Sequence, residues 1–249
     1  MKLIKSIVAS LLLSVSLTAM TNLEVAQKSE DVMNGFEDSI SKMKMTLVNA
    51  AGQKKIRTMK MKVLEGESED KSLMEFLTPA DVKGTKFLSY EHVAKDDDQW
   101  LYLPALKRVK RIASKNKSGA FMGSEFSYED LSAFNVQKYN YSEGEVKEVD
   151  GLYISTSTPV SKNSGYTKLI SYIDTKTFLI QKIEYFDRKK ELLKTAQFSE
   201  YKNFDGIYRM GKIVMSNVQN DKTTILVWSE ETIKNGLKNK DFHKRYLKK

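Results

Sequence analysis

Hydrophobic residues recur at every second position through most of this chain, and that alternation restricts it to half-buried β-strands. Met43, Met45 and Leu47 alternate with Lys42, Lys44 and Thr46. Beyond the turn-forming run Asn49–Gln53, Met59, Met61 and Val63 alternate with Thr58, Lys60 and Lys62. The pair reads as a long antiparallel hairpin with one apolar face. Further strand-like runs follow at short spacing: Leu73–Leu77, Lys86–Val93, Gln99–Leu103 and Arg108–Ala113. After an irregular stretch come Val136–Tyr141, Leu152–Thr158, Thr167–Ile173, Leu179–Phe186, Leu192–Tyr201, Ile207–Ser216 and Thr223–Trp228. Their connections carry turn residues at Asp150-Gly151, Asn163–Gly165, Asp205-Gly206 and Asn220-Asp221. About a dozen strands with no helices between them predict a mainly β (α+β) fold, an antiparallel sheet curled into a barrel or half-barrel.

The flanks read differently. Thr21–Gly35 sets Leu23, Ala26, Val32 and Met33 among charges, an amphipathic helix ended by Asn34-Gly35. The tail from Thr232 to Lys249 is basic and reads as helical or irregular. Met1–Met20 opens with Lys2 and Lys5, then runs apolar from Ile7 to Leu17. That is the layout of an export signal cleaved after Ala19, with an uncleaved anchor as the alternative. Residues 1–19 are therefore expected to be a signal peptide. Residues 20–249 are expected to be a single domain, since no Pro/Ser-rich linker divides them. Zero Cys excludes disulfides, Cys-ligated zinc, iron–sulfur clusters and a lipid-modified N-terminal Cys. An exported, Cys-free chain suits a bacterial periplasm.

No catalytic constellation emerges. There are two His, His92 and His243. His92 lies near Asp96-Asp97-Asp98, but no EF-hand spacing accompanies them, so a solvated acidic turn is the better reading. His243 reads as a surface residue. G-x-S-x-G, Walker and G-x-G-x-x-G patterns are absent, and S-x-x-K recurs too often in so Lys-rich a chain to discriminate. The expectation is a protein that is not an enzyme, with no metal site and no cofactor. The run Lys107–Lys117 holds Lys107, Arg108, Lys110 and Arg111. Export argues against nucleic acid as their partner. They read either as a face for anionic headgroups or an acidic partner, or as a solubilising strand face with Val109 and Ile112 turned inward.

Methionine is the most informative apolar residue. Met43, Met45, Met59, Met61, Met74, Met122, Met210 and Met215 fall largely on strand-like runs, where β-branched residues would be usual. Unbranched and polarisable, Met suits a surface that accepts flexible apolar ligands, or fills gaps in an ordinary core. Together with the aromatic residues they point to an apolar cavity. Its expected lining is Met45, Leu47, Met59 and Met61 from the first hairpin, then Phe76, Phe87, Trp100 and Tyr102, then Phe121, Met122 and Phe126. Alternation would put ligand on the concave face of the sheet and water on its convex face. Ser118–Leu131, rich in Gly and aromatics, lies outside the ladder as a lid or rim loop, or as a core plug.

The stretch Phe76–Leu131 carries Pro79, Lys83-Gly84-Thr85, Trp100–Pro104, Arg108, Arg111-Ile112, Phe121-Met122-Gly123-Ser124, Phe126, Tyr128 and Asp130-Leu131. In these residues, and upstream in Met45, Leu47, Gly52 and Arg57, the chain resembles the bacterial outer-membrane lipoprotein-sorting proteins, within the superfamily of the periplasmic lipoprotein carrier LolA. The resemblance implies an incomplete antiparallel β-barrel closed by helices around an apolar cavity. It implies a carrier that shields lipid or lipoprotein acyl chains, with an RND-type inner-membrane exporter as a possible partner. The alternative is an accessory or structural periplasmic subunit, its cavity filled by its own side chains, that acts by docking to such an exporter.

Overall fold

A computed structural model describes residues 19–93 and 95–248; the expected export signal, up to Thr18, lies outside them. Among the described residues an α-helix, α1 (Asn22–Asp31), precedes β1 (Asp38–Val48), β2 (Lys54–Leu64), β3 (Glu69–Thr78), β4 (Lys86–His92), β5 (Asp98–Leu103) and β6 (Arg108–Ile112). Then come β7 (Tyr139–Tyr141), β8 (Lys147–Val149), β9 (Leu152–Pro159), β10 (Tyr166–Asp174) and β11 (Ile180–Asp187). The chain continues through β12 (Leu192–Ser199), β13 (Lys202–Phe204), β14 (Ile207–Arg209), β15 (Lys212–Asn217) and β16 (Lys222–Ile233).

All but the small β13–β14 hairpin belong to one antiparallel sheet of 14 strands, ordered β6-β5-β4-β3-β2-β1-β16-β15-β12-β11-β10-β9-β7, with β8 on β9. The first six strands form one meandering arm and the later strands a second. The β1–β16 pairing joins them. The sheet curves but stays open: β6 and β7 are its edges and do not pair with each other. Nor do several helices close it. Among the described residues α1 is the only α-helix, opened by a capping box between Thr21 and Glu24 and packed on β9, where Asn22 Oδ1 accepts from the Thr156 amide at 3.1 Å; its Val25 and Ala26 are buried.

Part of the trough is filled by the segment Ser118–Leu131, whose buried aromatic residues fit the core-plug reading while Phe126 and Leu131 also border the space left open. Phe121 and Phe126 are buried, and Phe121 makes edge-on contacts with Phe87 and Tyr128. The segment is tied to both arms. Arg57 on β2 donates to the Met122 carbonyl at 2.7 Å, and Gln99 on β5 to that of Tyr128 at 3.0 Å. From the second arm, the Thr224 hydroxyl accepts from the Glu125 amide at 3.0 Å. The register explains the core around it. Met43 faces Met59, Met59 faces Phe76, Met74 faces Phe87 and Phe87 faces Leu101, so inward side chains run in rows across the first arm. Each such buried side chain stabilises the fold by about 1.5–3 kcal/mol.

The convex face of the first arm is not left to water. There Leu88 and Trp100 form a second apolar cluster with Phe242 and Leu247 of the C-terminal tail. The tail is pinned by Asp38, whose carboxylate accepts from the backbone amides of Asn235, Gly236 and Leu237. Burial would raise this carboxyl, but those bonds and the Asn235 side chain outweigh it and hold it below its ordinary value.

Candidate functional site

The two arms enclose a cavity of about 630 Å3, within the range of small-molecule sites. Its apolar wall comes from both arms: Met43, Met61 and Met74 from the first, and Leu169, Ile183, Ile213, Met215 and Leu226 from the second, with Phe126 of the plug. The rest of the lining is polar. Ser39, Ser41, Ser72 and Gln99 sit inward on β1, β3 and β5, and Glu30, Asp70, Glu91, Asp97 and Lys138 gather towards one side.

On that side the acidic turn between β4 and β5 clasps the far arm. Asp96 accepts from Ser161 Oγ and Asn163 Nδ2, each at 2.7 Å, and from Lys117 Nζ at 3.1 Å. Ser161 and Asn163 belong to the β9–β10 connection, so the turn bridges the opening that β6 and β7 leave unpaired. Asp97 accepts from Ser132 Oγ at 2.6 Å and Lys138 Nζ at 2.9 Å. Asp98 pairs with Arg111 and, at 3.1 Å, with His92 Nε2, whose Nδ1 lies 3.1 Å from Glu69. The solvated acidic turn expected from sequence is thus a partly buried fastening. Burial alone would raise Asp96, but hydrogen bonds from Ser161, Asn163 and Lys117 reverse that and take it down to about 2.

Three other carboxyls on this wall are pushed the opposite way, chiefly by burial: Glu30, Asp70 and Glu91. Glu91 is raised to about 8, since burial and nearby Asp97 and Asp70 outweigh Lys138 and the Ala133 amide that it accepts at 2.6 Å. A carboxyl whose folded value lies above its unfolded one contributes most at low pH, and that contribution fades as pH rises towards about 8. Glu91→Gln keeps an acceptor for Ala133 and removes the titration. Thermal melts are expected to show the variant several degrees above the parent at pH 9 and no gain at pH 5; parallel curves across that range would refute the assignment.

A buried ion pair anchors the plug. Lys194 on β12 and Asp130 lie 2.6 Å apart, each only 4% exposed. Lys194 also donates to the Glu125 carbonyl at 2.8 Å and sits over the rings of Tyr166 and Tyr185. Asp130 further accepts from the Ser127 amide at 2.6 Å and Tyr166 Oη at 2.8 Å. With its charge and lone pairs met, this is a structural knot. Sequence reading missed it, although the signal was present: Lys194 holds an inward position in the row with Ala196 and Phe198. Glu91, in the inward row with Phe87 and Ser89, was missed in the same way.

The residues singled out from sequence fall into distinct places. Met61 and Phe126 border the cavity. Met45, Met59, Phe76, Phe87 and Phe121 are fully buried in the packed core beside it, with Leu47 and Met122 half-buried against them. Trp100 and Tyr102 are not brought there at all. Leu101 takes the inward position on β5, so its two neighbours face the convex cluster under the tail. Lys107, Arg108, Lys110 and Arg111 lie on or beside the edge strand β6, all exposed.

A family model described as "Uncharacterized protein" matches residues 68–249. Among solved structures, the chain is similar to a domain described as outer membrane lipoprotein-sorting from Vibrio parahaemolyticus, with TM-score 0.87 and 45% identity over 91% of this chain and 98% of that one. It is similar to a DUF1329 family protein from Desulfovibrio piger, with TM-score 0.84 and 30% identity over 91% and 97%. A LolA superfamily protein from Nitrosomonas europaea shares the fold, with TM-score 0.74 and 18% identity over 92% and 100%. No curated protein matches.

Proposed function

Because the chain belongs to the outer-membrane lipoprotein-sorting family, we propose that it is a carrier that shields acyl chains of a lipid or lipoprotein inside the curved sheet. The observation that carries this reading is the cavity, whose apolar wall is drawn from both arms and whose polar residues gather on one side. An acyl chain in water costs about 0.8 kcal/mol for each exposed methylene, so burying even part of one supplies a driving force without catalysis. The polar side suits the headgroup end of an amphiphile, which keeps its hydrogen bonds while its tail leaves water. In this proposal the Met1–Ala19 segment exports the chain to the periplasm, and an RND-type exporter hands over the cargo, as the family resemblance implies. The accessory-subunit reading draws on the plug, whose Phe121 and Phe126 occupy part of the trough.

Lipid extraction and mass spectrometry of protein purified from its native host separates the two. A carrier is expected to yield a defined acyl-bearing species in near-stoichiometric amount. Protein that is consistently free of lipid, and that takes up no fluorescent fatty acid, would leave the accessory role.

A further inference from the structure

We propose that the end of the first arm formed by its three turns docks on an anionic lipid surface. The β1–β2, β3–β4 and β5–β6 turns all lie at one end of adjoining strands, as the pairings Val48 with Lys54, Glu75 with Lys86 and Leu103 with Arg108 require. Large apolar side chains stand out there instead of turning inward: Ile56 is 54% exposed, Leu77 36% and Leu106 68%. The β3–β4 and β5–β6 turns adjoin, since Pro104 lies against Gly84, and Thr58 of β2 pairs with Thr78 at the start of the β3–β4 turn. Exposed apolar residues scattered singly need no explanation, but a group at one end of a molecule does.

The charge around them selects the partner. Lys54, Lys55, Lys83, Lys107, Arg108 and Lys110 flank these side chains and are exposed. Among the described residues none of the six is paired with a carboxylate. Asp81 is the only acidic residue within the three turns. Unpaired cations around protruding aliphatic side chains fit a surface that offers negative headgroups outside and hydrocarbon just beneath. A cation-rich end is also a poor fit for another copy of this basic chain, whose formal charge is +9. The clasp residues Asp96 and Asp97 sit beyond the opposite end of β5, about 20 Å away at roughly 3.3 Å per strand residue. Docking by the turns leaves that side of the cavity unobstructed. The proposal does not rest on the carrier reading, because it requires neither cargo nor an empty cavity.

Co-sedimentation of the protein with protein-free vesicles tests it. Vesicles of phosphatidylcholine and phosphatidylglycerol in equal parts are expected to bind the chain, and vesicles of phosphatidylcholine alone are not. The double variant Ile56→Asp, Leu106→Asp, and separately the triple variant Lys83→Glu, Lys107→Glu, Arg108→Glu, are each expected to weaken binding about tenfold or more. Binding of the parent should fall with added salt. All substituted side chains are exposed, so melting temperatures should stay near the parent value. Failure of the parent to bind anionic vesicles would overturn the proposal, as would undiminished binding by both variants. Binding only to native membranes that retain their proteins would assign this end to a protein partner and overturn it equally.

Discussion

Asp130→Ala is expected to lower the melting temperature by about 10 °C. The substitution strands the Lys194 ammonium, 4% exposed, with only the Glu125 carbonyl and two aromatic faces for company. Breaking one side of a buried pair costs about 3–5 kcal/mol, and in a chain of this size each kcal/mol moves the midpoint by about 2–4 °C. Removing both charges, as Asp130→Leu with Lys194→Met, should recover much of the loss, because no charge is then left unpaired in the interior. A single Asp130→Ala variant that melts with the parent would mean that water reaches the pair and that the plug is held by its aromatic residues alone.

Aspartate placed at Met59 and at Met61 is expected to have opposite outcomes, although the two residues sit on the same face of one strand. Met59 is fully buried, facing Met43 and Phe76. A carboxylate there has no room for water, and the cation on the same face, Arg57, is already committed to the Met122 carbonyl, so a penalty of several kcal/mol should leave the variant largely unfolded. Met61 is half-buried at the cavity wall. Water can hydrate a carboxylate there when the cavity is unoccupied, so Met61→Asp should keep a cooperative melt close to the parent's. Its uptake of a fluorescent fatty acid should fall by about tenfold or more, since the charge must be desolvated when an acyl chain enters. Melting curves and probe titrations on the two proteins decide the matter. A folded Met61→Asp that binds the probe as the parent does would remove the cavity from the proposed function.

This contrast marks how far the sequence could be read. Alternation located the strands well: the runs of Met43–Leu47 and Met59–Val63 became β1 and β2, because side-chain period is a local property. It also gives each residue's face relative to its neighbours on a strand, but not which neighbour faces in. Hence size and aromatic character point Trp100 and Tyr102 to the cavity, whereas the smaller Leu101 holds the inward position. The irregular tail was legible as such, but its packing was not, for a related reason. Leu237, Phe242 and Leu247 recur every five residues, matching neither the strand nor the helix period, and they pack from short 3-10 turns and irregular chain. The clasp depends on side chains far apart in sequence. Asp96 and Asn163 meet across the opening only after both arms have curved, and nothing local in an Asp-rich turn announces that.

The order of strands also bears on how the chain reaches this shape. Each arm is mostly a series of neighbouring hairpins, whose contacts close short loops and form early. The pairing that joins the arms is another matter: β1 must wait for β16, and Asp38 meets Asn235 across 197 positions. Closing so long a loop carries the larger entropic cost and comes late. Until then β1 presents one side as an unsatisfied edge of 11 residues, carrying Met43 and Met45. During synthesis that edge stays open until β16 (Lys222–Ile233) has been made, and an open edge of that kind pairs readily with another chain. The lysines at positions 42 and 44, alternating with those methionines, then act as guards against such pairing before they become part of a solvated surface.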